Sequence, residues 1–341
     1  GNKHKAEKFF LDGMTKAIHQ LAMQSHPLFP VTIYYAFKQS ETKEGDTSST
    51  GWETFLTAIL QAGFSITGTW PMRTELSNRM IGQKTNALAS SIVLVCRKRD
   101  DNEKTITRRE FQKELRENIS SALEIMIGGS DGQSPIAPVD LAQAAIGPGI
   151  AMYSQYSAVL NQDGSPMTVN DALILINREI TEFLNPESGS FDSDTLFCTL
   201  WFEQYGYNAG PYGEADTLAR AKGTSADGVA QSGVIDSKGG KVSLIPWKKY
   251  PKHWDPKSDS RIPIWEACHH LICKLKEEGE TAAGTLLASM LEKSDSIRQL
   301  AYHLYTLCER KKYSEEAMAY NELILSWSAI ITASNEVGRV N

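Results

Sequence analysis

The chain has 341 residues, long enough for two or three domains and a large core. Its hydrophobic fraction of 41% and charged fraction of 22% are ordinary for a soluble globular protein. The longest apolar runs, such as 323–333, are too short and too interrupted by serine to span a bilayer. The charged first ten residues do not resemble a signal peptide, and we expect Gly1, which stands without a methionine, to be a tag remnant on a fragment of something longer. We therefore expect a cytoplasmic protein without a membrane partner.

The formal net charge of −6 is unevenly distributed. Residues 1–99 contain 12 Lys and Arg against 7 Asp and Glu, a net charge of +5, whereas the remainder contains 23 against 34, a net charge of −11. This balance argues against a generic nucleic-acid binder. Any contact with phosphate is expected in the first third of the chain.

The first 99 residues alternate between two patterns, in the order helix 5–24, strand 31–37, helix 51–61, strand 64–70 and strand 87–98. The alternation predicts a parallel α/β sheet. The β-branched and aromatic run 31–37 predicts a strand buried on both faces, and Pro71 is expected to end the next strand. Because no helix separates the last two strands, the third should return antiparallel at the sheet edge.

A charge run at 97–105 predicts a solvated linker to a helical region at 100–190. Thr107 and Glu110 form a capping box for a helix with one apolar stripe, composed of Phe111, Leu115, Ile119 and Leu123. A short helix near 139–146 is expected to end before the Gly-Pro-Gly triplet at 147–149. Thr168 is expected to cap a helix over 169–184, and 185–194 is a candidate boundary.

Residues 191–246 are predicted to form a winged-helix-like domain. Helical patterns at 194–205, 214–222 and 225–232 precede two short strands joined by Lys238-Gly239-Gly240, a hairpin signal. The usual recognition helix would be 225–232. It contains no Arg, Lys or Asn, and Gln231 is its only side chain suited to reading bases, so we do not expect that helix to read DNA.

The C-terminal region, 247–341, opens with WKKYPKHWDPK (247–257) and continues as helices at 264–275, 282–291 and 296–308 and a last one capped by Ser314. The opening segment interleaves aromatic residues with lysines. Its aromatics could stack on bases while Lys248 and Lys249 hold the DNA backbone. The alternative is a connector whose aromatics pack internally and whose lysines are solvated.

The five cysteines are odd in number and lie in apolar segments: Cys96, Cys198, Cys268, Cys273 and Cys308. This usage predicts reduced, mostly buried thiols. His269 and Cys273 would share a helical face, but a metal site needs two further ligands from elsewhere. We expect a buried helix and no metal.

Several long stretches resemble one enzyme family. They are GWETFLTAILQAGFSITGTWPMRTE (51–75), NALASSIVLVCRKR (86–99), DLAQAAIGPGIAMYSQYSAVL (140–160), GPYGEADTLARAK (210–222) and LYTLCERKKYSEEAMAYNEL (304–323). Together they resemble the large adenine-specific DNA methylases that open with a domain of unknown function and are sometimes found beside anti-phage genes. The resemblance implies a Rossmann-like methyltransferase sheet, S-adenosylmethionine as cofactor, DNA as substrate and a role in restriction-modification.

Two motifs of that family are missing here. The chain contains no Pro-Pro, so it lacks the [DN]PP[YF] motif, and it has no glycine-rich turn for S-adenosylmethionine. The resemblance therefore implies the C-terminal portion of such an enzyme, with no catalytic residue in this chain. The fragment is expected to bind no cofactor alone and to have the N-terminal catalytic half as its partner.

Ligands of a doubly wound sheet lie at the carboxyl ends of its parallel strands. That rule gives five substrate-face candidates: Phe37, Lys38, Trp70, Arg73 and Glu75. Trp70 is either a wall for an extruded base or a core tryptophan. Arg73 either holds a phosphate or forms an ion pair with Glu75, which would orient it. Arg79 and Lys84 are candidates for the DNA backbone or solvated loop charges.

The competing interpretation is a non-enzymatic winged-helix and helical module that binds a partner protein or DNA. The exposed edge strand of an incomplete sheet argues against this interpretation, because unpaired edge strands promote association, including self-association. A hydrolase is not supported, since the chain has neither GxSxG nor HExxH.

Overall fold

The computed structural model describes residues 3–35, 50–73, 90–99, 104–128, 135–185 and 191–340. The protein is mixed α/β, with small sheets and a helical C-terminal region. It divides into two units. The first contains the described residues up to Met126 together with Val139–Phe183, and the second contains 127–138 and the residues from Leu184 onward. Among the described residues, no helix is long and apolar enough to cross a membrane.

The elements up to Phe183 are α1 (Lys3–Gln24), β1 (Val31–Tyr35), α2 (Thr50–Gln61), β2 (Phe64–Arg73), β3 (Ser90–Lys98), β4 (Thr105–Thr107), α3 (Arg108–Met126), α4 (Pro138–Ser154), β5 (Ala158–Leu160) and α5 (Val169–Phe183). The later elements are α6 (Ser193–Tyr205), β6 (Gly210–Pro211), α7 (Tyr212–Ala221), α8 (Ala226–Gln231), β7 (Ile235–Lys238), β8 (Lys241–Leu244), α9 (Ile264–Glu278), α10 (Glu280–Ala288), α11 (Ser294–Lys311), α12 (Ser314–Leu325) and α13 (Trp327–Val340).

The main sheet of the first unit has the order β1-β3-β2, and β3 is antiparallel to both neighbours. The antiparallel return of β3 is confirmed, but the predicted edge position of β3 and the predicted parallel pairing of β1 with β2 are wrong. A returning strand can pair outside its predecessor or between it and an earlier strand, and here it lies between. Since β1 and β2 both oppose β3, they still run in the same direction.

One face of this sheet is largely buried, whereas among the described residues the other face exposes Tyr34, Trp70 and Met72. Ile33, Leu94 and Ile66 point toward the covered face, where Tyr35 contacts α2 with its ring 4.5 Å from that of Phe55. Side chains of β1 alternate between half-buried and exposed. The predicted burial of this strand on both faces is therefore wrong, because aromatic and β-branched side chains occupy both faces while helices cover one.

The strand β2 does not stop at Pro71 but continues to Arg73, with Pro71 opposite Ile92 of β3. This corrects the predicted strand end. Among the described strands, β2 pairs on one side only, and a proline is tolerated in such an edge strand because its missing N–H need not serve the ladder. The register shifts by one residue between Ile66 and Gly68, which leaves Thr67 as a β-bulge.

The Gly-Pro-Gly triplet lies inside α4, so the predicted end of that helix before Gly147 is wrong. Pro148 cannot donate to the carbonyl of Ala144 one turn earlier. The hydroxyl of Thr69 donates to that carbonyl instead, at 3.5 Å. A β-carbon at position 147 would lie 1.6 Å from Oγ1 of Thr69, so the glycine permits the close approach of α4 to β2.

Both predicted capping interactions are confirmed. Glu110 accepts hydrogen bonds from the backbone and hydroxyl of Thr107, and the amide of Glu110 donates back to that hydroxyl. Thr168 and Asp171 make the same reciprocal pair at the start of α5. The apolar stripe predicted for α3 is fully buried. A two-stranded parallel sheet of β4 and β5, which no pattern predicted, joins these helices.

The second unit begins with three helices and a small antiparallel sheet of order β6-β8-β7. The predicted hairpin is confirmed: Gly239 and Gly240 have φ of 59° and 73°, as a two-residue turn between twisted strands requires.

Five helices, α9–α13, complete the second unit. The single last helix predicted after 308 is instead two, α12 and α13, divided at Ser326. Ser314 is the first residue of α12 rather than its cap, and Tyr313 is the cap residue. All five cysteines are free, and four of them are buried, which confirms the prediction for the thiols.

Replacing Gly147 with alanine tests the close packing of α4 on β2. The added β-carbon would overlap Thr69, and overpacking of this kind costs about 1–3 kcal/mol. Urea unfolding should show that loss for Gly147→Ala. The matched control is Gly13→Ala in α1, where no atom lies within 4 Å of the new β-carbon. The control should be stabilised by up to about 1 kcal/mol, and equal effects of the two changes would contradict this packing.

Candidate nucleic-acid face and buried polar groups

The uncovered face of the main sheet carries exposed aromatic and apolar side chains. Tyr34 and Trp70 stand in register on either side of Val93. Tyr34 is 61% exposed and Trp70 is 64% exposed, while Val93 between them is 6% exposed. We call this surface the open sheet face. Its members are Thr32, Tyr34, Ser65, Gly68, Trp70, Met72, Ser91, Val93, Val95 and Arg97.

The indole of Trp70 leans along β2 toward Gly68. A β-carbon on Gly68 would lie 3.8 Å from Nε1 of Trp70. The bulge at Thr67 lies directly before this glycine. A separation of 3.8 Å is an ordinary van der Waals contact, so the indole lies beside Gly68 on the sheet surface while remaining 64% exposed.

Trp70 and Arg73 are the substrate-face candidates whose backbone the structure describes. The 64% exposure of Trp70 excludes the alternative of a core tryptophan. Arg73 is the last residue of β2, at the same sheet edge as Tyr35, which ends β1. The remaining candidates of the first 99 residues lie outside the described residues: Phe37, Lys38, Glu75, Arg79 and Lys84. Tyr34 is exposed, although it lies in the strand that the sequence predicts to be buried on both faces.

Lys248 and Lys249 lie in a 3-10 turn of the second unit, Trp247–Lys249. The ammonium of Lys248 forms an ion pair with Glu315. The aromatics of this segment are not free for bases. Trp247 and Tyr250 are buried, and the indole of Trp254 stacks on His270 with 4.0 Å between ring centroids. These contacts favour the connector interpretation of 247–257.

The histidines of the predicted cluster are engaged inside the second unit. Nδ1 of His269 lies 2.6 Å from the carbonyl of Trp265, and Nε2 lies 2.7 Å from the hydroxyl of Tyr320. Because a carbonyl only accepts, Nδ1 carries the proton and Nε2 accepts from Tyr320. Burial lowers the pKa values of His269 and His270 to about 4. Within the described part of the chain, no group of three or more side chains is arranged to hold a metal ion.

Glu266 is a buried carboxyl next to this cluster. The residue is 4% exposed, and Oε1 lies 3.7 Å from Nε2 of His270. Burial, with a smaller effect from Asp259, raises the pKa of Glu266 from 4.5 to about 8. The carboxyl is therefore protonated at neutral pH, which avoids the cost of an unpaired buried charge. No feature of the sequence distinguished Glu266 from an exposed helical glutamate.

A second buried carboxylate, Asp194, organises the start of the second unit. Nε and Nη2 of Arg261 lie 2.6 and 2.8 Å from its two oxygens, and the hydroxyl of Thr224 donates to it. Asp192, the cap residue of α6, also accepts from the backbone N–H of Ile264. These bonds join α6 to the loops that precede α8 and α9. The contacts are structural, since every one is made within the unit.

The first unit contains a cavity of about 520 Å³ that sequence patterns did not reveal. It lies between α2 and the segment from the end of α4 to the start of α5. Its polar lining includes Glu53, Arg99, Tyr153 and Tyr156. The guanidinium of Arg99 donates to the carbonyls of Leu60 and Phe64. Arg99 thereby satisfies one carbonyl in the last turn of α2 and one at the start of β2.

A family described as a domain of unknown function (DUF8807) matches residues 192–341. The matched stretch lies within the second unit. No curated protein and no solved structure matches the chain.

The pH dependence of stability tests the state of Glu266. Its carboxyl keeps a proton in the folded state up to about pH 8 but loses it near pH 4.5 when unfolded. Stability from this group is therefore lost as pH rises. The lowered pKa values of His269, His270 and His303 make the free energy of unfolding rise with pH, but only below pH 6.5.

Between pH 6.5 and 8, the free energy of unfolding should fall by about 1–2 kcal/mol. Glu266→Gln cannot titrate and should remove that fall in urea unfolding. The control Glu277→Gln changes an exposed carboxylate of the same helix that pairs with Lys252, and should retain it. An unchanged slope in Glu266→Gln would show that its carboxyl is ionised when folded.

Proposed function

We propose that this chain is the C-terminal part of an S-adenosylmethionine-dependent DNA adenine-N6 methyltransferase. In the intact protein, the first unit contributes the last strands of a Rossmann-like methyltransferase sheet. The N-terminal catalytic half contributes the glycine-rich cofactor turn and the [DN]PP[YF] motif. When bound there, S-adenosylmethionine supplies the methyl group that N6 of an extruded adenine accepts.

The direction of β1 and β2 is the observation that carries this proposal. Both strands are antiparallel to β3, and α2 connects them as a crossover helix. Their carboxyl ends consequently lie at one edge of the sheet. In doubly wound folds that edge is where ligands bind. Arg73 ends β2 at this edge, and Phe37 and Lys38 follow β1 within two or three residues.

The roles of the chain's own residues follow from that edge. Arg73 binds a phosphate of the displaced nucleotide, because its planar guanidinium matches phosphate oxygens, and Glu75 orients it. Arg79 and Lys84 contact the DNA backbone. In the described sheet, β1 and β2 are each hydrogen-bonded to one neighbouring strand only. The backbone groups along their outer sides are therefore available to the N-terminal half or to a second copy.

Activity of the intact protein tests the proposal. DNA incubated with the enzyme and S-adenosylmethionine should acquire N6-methyladenine, measured by mass spectrometry of nucleosides. Arg73→Gln should lower kcat/KM for DNA about tenfold, by loss of one charge-assisted contact. Arg178→Gln removes an exposed arginine whose partner is Glu182 and should leave kcat/KM unchanged. Methylation of cytosine only, or of no base, would contradict the proposed reaction.

Calorimetric titration of this chain alone provides a second test. Because neither cofactor motif is present in the sequence, addition of S-adenosylmethionine should give no saturable heat. Micromolar binding by the isolated chain would mean that the cofactor site lies within these 341 residues.

A second candidate function rests on the beginning of the second unit. The arrangement of α6, α7 and α8 with a β6-β8-β7 sheet supports a winged-helix interpretation. Its short helix α8 exposes Asp227 and Gln231 and no cation. A carboxylate facing outward is unfavourable toward DNA phosphates. This surface therefore favours a non-enzymatic module that binds a partner protein over one that reads bases with α8.

A further inference from the structure

The open sheet face combines stacking surfaces with positive charge. Tyr34 and Trp70 expose their rings on the two outer strands, with Val93 as an apolar floor between them. Neighbouring strands lie about 4.8 Å apart, so the two aromatic positions are separated by roughly 10 Å across the sheet. Two flat side chains thus project from one row of the same face.

The charge of this face is of one sign. Arg97 is its only charged member, and no Asp or Glu occurs among the ten. The guanidinium of Arg97 is exposed and donates one described hydrogen bond, to the carbonyl of Leu28 at 3.2 Å. A guanidinium has five N–H donors, so others can reach a phosphate. The net charge of +5 over residues 1–99 adds to this attraction.

We propose that the open sheet face binds single-stranded nucleic acid, with unstacked bases on Tyr34 and Trp70 and a backbone phosphate at Arg97. Exposed aromatics on a sheet stack bases whatever their identity, and cations beside them hold the backbone. A duplex does not present its base faces, so an unpaired strand is the form that fits.

This inference deepens the proposed function, since a methyltransferase that extrudes adenine leaves unstacked bases in its DNA. It requires neither the cofactor nor adenine. A thymine oligonucleotide therefore tests binding to the face separately from methylation. The binding test and the methylation test can each give a negative result independently of the other.

Fluorescence anisotropy with fluorescein-labelled oligo(dT) of about 12 nucleotides measures the binding, at low and moderate salt. The full chain should bind with a Kd that rises with salt. Trp70→Leu and Tyr34→Leu should each raise the Kd about tenfold, through loss of one stacking surface. Arg97→Gln should also raise the Kd and reduce the salt slope by about 0.7, the contribution of one phosphate contact.

The matched control is Phe9→Leu, which removes an aromatic ring that is 83% exposed on α1 of the same unit. It should leave the Kd unchanged. Equal weakening by Phe9→Leu and Trp70→Leu, or no saturable binding at low salt, would overturn the proposal. Sedimentation velocity supplies a further outcome: a dimer that Trp70→Leu dissociates would identify the face as an interface between copies of the chain.

Discussion

The double pairing of β3 determines the architecture of the first unit. Each residue of β3 from Ile92 to Cys96 has a partner in β1. On its other side, every residue of β3 from Ser90 to Lys98 has a partner in β2. Because β3 separates β1 from β2, the crossover through α2 spans one strand position and covers one face only. The opposite face remains open, with Tyr34 and Trp70 aligned across Val93. The common direction of the two outer strands, and with it the proposed ligand edge, depends on the same pairing.

The two units differ in how completely they cover their apolar side chains. Of the thirteen exposed large hydrophobic residues among those described, eleven lie in the first unit, including Phe9, Phe29 and Trp70. Large exposed apolar surfaces mark interaction sites. The second unit instead encloses its polar groups, as Asp194 with Arg261 and His269 with Tyr320 show. The exposed apolar surface of the described residues is therefore concentrated on the first unit.

The local elements could be predicted because their signals are short-range. Reciprocal caps at Thr107 and Thr168 and the glycine turn at 239–240 act within a few residues. The order of the strands could not be predicted, since the local sequence of a returning strand does not specify whether it pairs outside or between the earlier strands. Gly147 resembles a helix terminator in the sequence, and only its contact with Thr69 explains its position inside α4. The protonated state of Glu266 likewise depends on burial by helices distant in sequence.

We propose above that nucleic acid contacts the first unit at the open sheet face. Photocross-linking measures this most directly, with a 4-thiothymine-substituted single strand bound to the full chain and cross-linked peptides mapped by mass spectrometry. We expect cross-links in the peptides that contain Tyr34 and Trp70, and unlabelled oligo(dT) should compete them away. Cross-links confined to the second unit, for example to the 247–257 segment or the 238–241 hairpin, would contradict it.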